Sequence, residues 1–162
     1  MFLVLALLLA LLLPAPASAS HAGDLWATIN ICDTDAHPNV LGVRASMPGN
    51  GTRQTMWMRF RADYYDRATE TWRRIPGDSQ SRWINTGGAR PRARQDGREF
   101  TIEPPLPTTT YIVRGIVKFQ WRRRQTGEVV RREKQVTRAG HRTGRFGDPF
   151  DYSEGICEIR SP

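Results

Sequence analysis

Lysine is almost missing from this chain. Of 24 basic residues only Lys118 and Lys134 are lysines, which leaves 22 arginines. A skew of that size is most simply the mark of a GC-rich coding sequence. The net charge of +8 is therefore a weak pointer to nucleic acid, whose binders usually mix both residues for phosphate contacts. Histidine is scarce too: His21, His37 and His141 are all there is. A zinc or copper site needs three or four nitrogen, sulfur or carboxylate ligands, and no spacing here draws such a set together. No transition metal and no cofactor is expected. No Gly-x-Ser-x-Gly elbow is present. A Ser-His-Asp constellation would have to be assembled in space, as triads are, and no motif signals a catalytic residue. There are no internal repeats, no heptads and no stretch of helical apolar period.

Long apolar runs are missing after the first thirteen residues. Phe2 to Leu13 is continuous in leucine, valine and alanine, too short for a bilayer, which takes about 20 residues. Ala17-Ser18-Ala19 follows, the small-x-small pattern of signal peptidase cleavage. Residues 1–19 are expected to be a signal peptide and residues 20–162 a single β-sandwich domain, near the usual domain size. No basic side chain precedes the run, so a retained anchor is the alternative. No stable membrane insertion is expected after cleavage. The protein is placed outside the cell or in the cell envelope.

Cysteine is limited to Cys32 and Cys157. They do not form a Cys-x-x-Cys pair, which argues against redox or metal chemistry. In an exported chain they read as one disulfide joining the first strand to the last.

What is present is period-2 alternation. Tyr111, Val113, Gly115, Val117, Phe119 and Trp121 share one side of a stretch running to Arg122; Ile112, Arg114, Ile116, Lys118, Gln120 and Arg122 share the other. That is a half-buried strand about 40 Å long, suited to the middle of a sheet. Thr55 to Tyr65 repeats the pattern, with Met56, Met58, Phe60, Ala62 and Tyr64 inward and Trp57, Arg59, Arg61 and Asp63 outward. Further strands are expected over 25–32, 40–47, 68–75, 99–103, 129–136 and 156–159. Turns are expected at His37-Pro38-Asn39 and Pro76-Gly77-Asp78-Ser79. Residues 86–98 read as the longest and least ordered loop, with a hairpin signal at Asp96-Gly97. The charged 129–136 strand reads as a sheet edge. About seven to eight short strands with regular turns make an all-β fold, an antiparallel β-sandwich.

A tryptophan-bearing third strand followed by a long Tyr-x-Val-x-Gly strand resembles immunoglobulin-like and fibronectin type III domains. The resemblance covers about residues 55–136 and implies the architecture; Tyr111 would occupy the place of the tyrosine corner. There is also a general likeness to small exported bacterial β-domains. Such folds host many functions.

If the two alternating strands share a sheet, Trp57, Arg59 and Arg61 lie on one outer face with Arg114, Lys118 and Arg122. A flat basic face with an aromatic suits an anionic polymer of the cell envelope; no specific nucleic acid is expected. Asp33 with Asp35, and Asp148 with Asp151 and Glu154, are carboxylate clusters that suit either calcium or turn capping. The sequence thus reads as a secreted, non-enzymatic binding or structural module. A small secreted hydrolase with loop-borne active residues is the alternative.

Overall fold

Alternation decides the centre of the molecule. The chain is described here as a computed structural model, which covers residues 25–142 and 146–161; the expected signal peptide and His21 lie outside the described residues. Its nine strands are β1 (Trp26–Thr34), β2 (His37–Pro48), β3 (Thr55–Asp66), β4 (Thr71–Arg74), β5 (Ile84–Gly88), β6 (Ala93–Thr101), β7 (Thr110–Arg122), β8 (Val129–Val136) and β9 (Cys157–Arg160). All pair antiparallel, in two sheets. One sheet is β1-β2-β6. The other has β3 and β7 side by side through its middle. The short β4 and β5 share the free edge of β3, and β8 and β9 share the free edge of β7.

The two sheets face each other across one apolar layer. Val113, Val117, Phe119 and Trp121 of β7 and Met56, Met58, Phe60 and Ala62 of β3 are fully buried against Leu41, Val43, Ala45 and Met47 of β2. Trp121 satisfies its one donor inside the core: Nε1 bonds the Pro48 carbonyl at 3.1 Å. Gly115 marks a close approach of the layers. A Cβ there would stand 2.7 Å from both Val43 and Thr137 side-chain carbons. Cys32 and Cys157 are bonded, with Cα atoms 5.6 Å apart. The bond ties β1 of one sheet to β9 of the other.

Several sequence expectations are corrected. Strand β2 begins at His37, and the turn falls one step earlier, on Asp35-Ala36. Pro38 is tolerated because β6 reaches β2 only from Val40 onward, so no ladder bond is asked of it. Residues 86–98 are largely strand. Asp96 and Gly97 lie mid-strand opposite Ala45 and Arg44, and Gly97 reports close backbone approach, since a Cβ would meet the Val43 carbonyl at 3.2 Å. Arg94 and Arg98 sit on β6, a sheet edge where charge is at home. The 68–75 segment pairs only over Thr71–Arg74, after a turn whose Glu70 has φ +53°. Tyr111, placed inward by period, stands at the open end of the layer and is 38% exposed.

The segment after β8 turns back over the first sheet. Arg138 N bonds the Ala27 carbonyl, Ile29 and Glu154 exchange backbone bonds, and Asp148 N bonds the Asn30 carbonyl. These contacts occupy the β1 edge that β2 leaves free, so that edge is not left open to another chain.

Candidate polyanion-binding face

The outer face of the larger sheet is set by register. On β3 and β7 the pairs Trp57–Gln120, Arg59–Lys118, Arg61–Ile116 and Asp63–Arg114 stand opposite one another. All six residues expected on a shared basic face do share it, but they fall into two groups with different surroundings.

In the first group the arginines are already engaged. Arg61 Nη2 donates to Asp63 Oδ2 at 2.8 Å, and its Nε stands 2.7 Å from Oδ1, out of hydrogen-bond alignment. Asp63 is 2% exposed. Arg114, opposite Asp63, lies 4.1 Å over the Trp72 ring. Burial lowers its pKa from the ordinary arginine value, Asp63 opposes the fall and Arg61 adds to it. One carboxylate here serves two guanidinium groups, so these arginines are partly spent within the structure.

The second group is open at one end. Arg122 stands 4.2 Å from the Trp57 ring and 5.2 Å from the Trp83 ring, its Nε bonded to Gln120 at 2.9 Å. Trp57 Nε1 is held by Thr55 Oγ1 at 2.9 Å. Beside this aromatic end runs a row of cations. Ile84 pairs with Met58, which sets Trp83 next to Arg59. Arg59 stands opposite Lys118, and Lys118 stands opposite Lys134. The row Trp83–Arg59–Lys118–Lys134 thus crosses four columns of the sheet, about 14 Å at about 4.8 Å per spacing. With Gln120, Arg132 and Glu133 it lines a groove of ≈ 460 Å³. Glu133 is held by Arg131, whose Nε and Nη2 both reach Oε1 at 3.1 Å. Among the described residues, Arg59, Lys118 and Lys134 have no acidic partner. Arg59 Nε bonds only the Ser81 carbonyl, at 3.3 Å. Trp83 and Lys134 were not legible as site residues, because their place depends on strand register rather than on local pattern.

No family model, no curated protein and no solved structure matches this chain. Function must rest on the chemistry of the surface.

Two other places hold polar chemistry. A cavity of ≈ 830 Å³ lies between residues 146–148 and the outer side of the first sheet, lined by His37, Arg44, Arg98 and Glu99 among others. On its wall His37 Nδ1 is 2.9 Å from Asp148 Oδ2, and Thr34 Oγ1 donates to the same oxygen. These bonds hold the Asp148 carboxyl below its usual range, Thr34 first and then His37. Among the described residues no hydroxyl or thiol is bonded to His37 Nε2. Nearby, Arg44 is 6% exposed and its Nε and Nη1 have no acceptor among the described residues. Asp33 spends its carboxylate on backbone, accepting Asn39 N at 2.8 Å and Arg160 N at 2.9 Å. Capping therefore accounts for it, as the carboxylates' positions at strand ends suggested.

Proposed function

We propose that the protein is a secreted, non-enzymatic binding or structural module of the cell envelope that contacts anionic polymers through the outer face of its larger sheet. The observation that carries this is the row Arg59–Lys118–Lys134. Like charges set directly opposite on adjacent strands destabilise a sheet, and here two such pairs stand in line without a carboxylate to relieve them. A polyanion lying across the strands removes that repulsion and gains by counterion release. The Cys32–Cys157 bond supports an oxidising compartment; among the described residues no helix is long and apolar enough to cross a membrane.

The strand order supports an immunoglobulin-like or fibronectin type III-like reading of the sandwich. The first, second and sixth strands form one sheet, and the third, seventh and eighth lie together in the other. This is the division that places the A, B and E strands against C, F and G in such domains.

The test is retention on a polyanion column against a salt gradient. Arg59→Gln, Lys118→Gln and Lys134→Gln together are expected to elute far earlier than wild type. Arg53→Gln, Arg67→Gln and Arg90→Gln remove the same charge from exposed loops and turns and are expected to elute only slightly earlier. Equal shifts would reduce the face to ordinary basic surface.

A second reading, a small hydrolase, is favoured by the His37–Asp148 pair on the wall of the ≈ 830 Å³ cavity. Ester hydrolysis by the wild type that His37→Gln abolishes would move the assignment there.

A further inference from the structure

In a chain whose basic residue is arginine almost everywhere, the two lysines stand face to face. Lys118 and Lys134 are the only lysines among 162 residues. Their strands, β7 and β8, bring them directly opposite each other on the outer face, both exposed. Twenty-two other basic positions take arginine, so charge alone explains neither lysine. What differs is the head group. A guanidinium is a planar fork that matches a carboxylate edge to edge; an ammonium is a compact point charge with three donors on a flexible stem.

Opposed residues on neighbouring antiparallel strands have Cβ atoms about 4.5–5.5 Å apart. Two lysine stems rooted at that spacing can bring both ammonium groups onto one ligand atom group. Arg59, opposite Lys118 on its other side, supplies a third cationic donor from the next strand. The floor between them belongs to the groove already described. The Trp83 end closes it with an aromatic ring against which Arg122 and Arg59 already lie, at 5.2 and 6.0 Å. With guanidinium groups there, the ring is not a free stacking platform for a nucleobase, which is what single-stranded nucleic acid draws on.

We propose that Lys118 and Lys134 jointly grip one tetrahedral phosphate group, with Arg59 as third donor, and that the polymer bound by this face is a phosphodiester-linked polyol. This rests on the polyanion-binding reading above and gives it a ligand class. A planar carboxylate is saturated by one bidentate guanidinium. Three donors rooted side by side on three adjacent strands fit a group whose oxygens point to three sides. The gain is charge-assisted hydrogen bonding at a point where like charges otherwise repel.

The experiment compares equilibrium binding of poly(glycerol phosphate) and of polygalacturonate, matched in charge and length, at one fixed salt concentration. The protein is the full disulfide-bonded chain. The variants are Lys118→Arg/Lys134→Arg, Lys118→Gln/Lys134→Gln and the exposed control Arg53→Gln/Arg67→Gln, each checked for an unchanged melting curve. The wild type is expected to prefer the phosphate polymer by tenfold or more. The double arginine variant, with charge intact, is expected to lose about that factor toward the phosphate polymer and little toward polygalacturonate. The double glutamine variant is expected to lose more toward both. If the double arginine variant binds as wild type does, the lysine grip is overturned while the polyanion face stands. Equal wild-type affinity for the two polymers overturns the phosphate preference. If the double glutamine variant loses no more than the control, the polyanion face itself falls.

Discussion

At Trp26 two groups share one indole. His141 stacks on it with ring centroids 4.6 Å apart and planes 8° from parallel, and the Arg44 guanidinium lies 5.0 Å from the same ring. Arg44 Nη2 donates to the His141 carbonyl at 2.5 Å, while His141 N is held by Ser153 Oγ at 2.8 Å. Burial first, and Arg44 second, lower the imidazole pKa from its ordinary value. The folded protein thus binds this proton less readily than the unfolded chain. Stability from this group is complete above about pH 6.5, the unfolded value, and declines as pH falls below it. Thermal melting between pH 7 and 5 is expected to fall for the wild type, by at most about 1.4 kcal/mol per pH unit for one proton. His141→Phe keeps a ring on Trp26 and is expected to flatten that part of the profile; an unchanged slope would assign it elsewhere. Asp148 acts in a separate window: its lowered pKa adds stability above about pH 4 that is lost in stronger acid. None of this was legible in the sequence. His141 reads as a loop histidine, and its partners come from residues 26, 44 and 153. The six outward residues of the candidate face were legible, because alternation places them; Trp72, Trp83 and Lys134 were not.

At the level of elements, the two strands with clean alternation came out with nearly their expected ends, because each is buried on one side along most of its length. Strand β8 was also read within its true limits, with its arginines and lysine on an edge. Strand β6 was missed over most of its length. It borders only β2, so its free side tolerates arginine and glycine, and its local composition imitates a loop. Burial in β7 can be tested on adjacent residues. Val117 is fully buried and Lys118 exposed. Val117→Asp places a carboxylate without a partner in the core and is expected to prevent folding, since its cost rivals a total stability of about 5–15 kcal/mol. Lys118→Gln is expected to change stability by less than about 0.5 kcal/mol. Gly115→Ala is expected to cost about 1–3 kcal/mol by overpacking against Val43 and Thr137. Urea unfolding of the three variants measures all of these; equal effects at 117 and 118 would contradict the assigned faces.

The whole molecule is closed by one covalent bond across 125 residues. Its pairing was legible because two cysteines allow only one partner. Its path between the sheets was not, since β9 takes its ladder from β7 and reaches β1 through the disulfide and the Arg160 N to Asp33 carboxylate bond. Restricting an unfolded chain over that span is worth up to about 5 kcal/mol by loop closure, and about 2–4 kcal/mol in ordinary practice. Cys32→Ser/Cys157→Ser is expected to lower the melting temperature by about 10 °C, with the sandwich still formed. A melting curve that does not move would mean the bond adds nothing to the fold.

That closure also sets a timetable. Cys157 lies on β9, which follows the other described strands; the Thr110–Val113 part of the β7 edge waits for β9, and the free edge of β1 waits for residues 138–154. Pairings this distant in sequence are slow to form, because the intervening chain must first be gathered in. A ribosome or a translocation pore delivering the chain from its N-terminus therefore releases it at least as far as Cys157 before the sandwich can complete. With a single cysteine pair there is no wrong partner to undo. The chain needs an oxidant at the end of its delivery and no reshuffling enzyme.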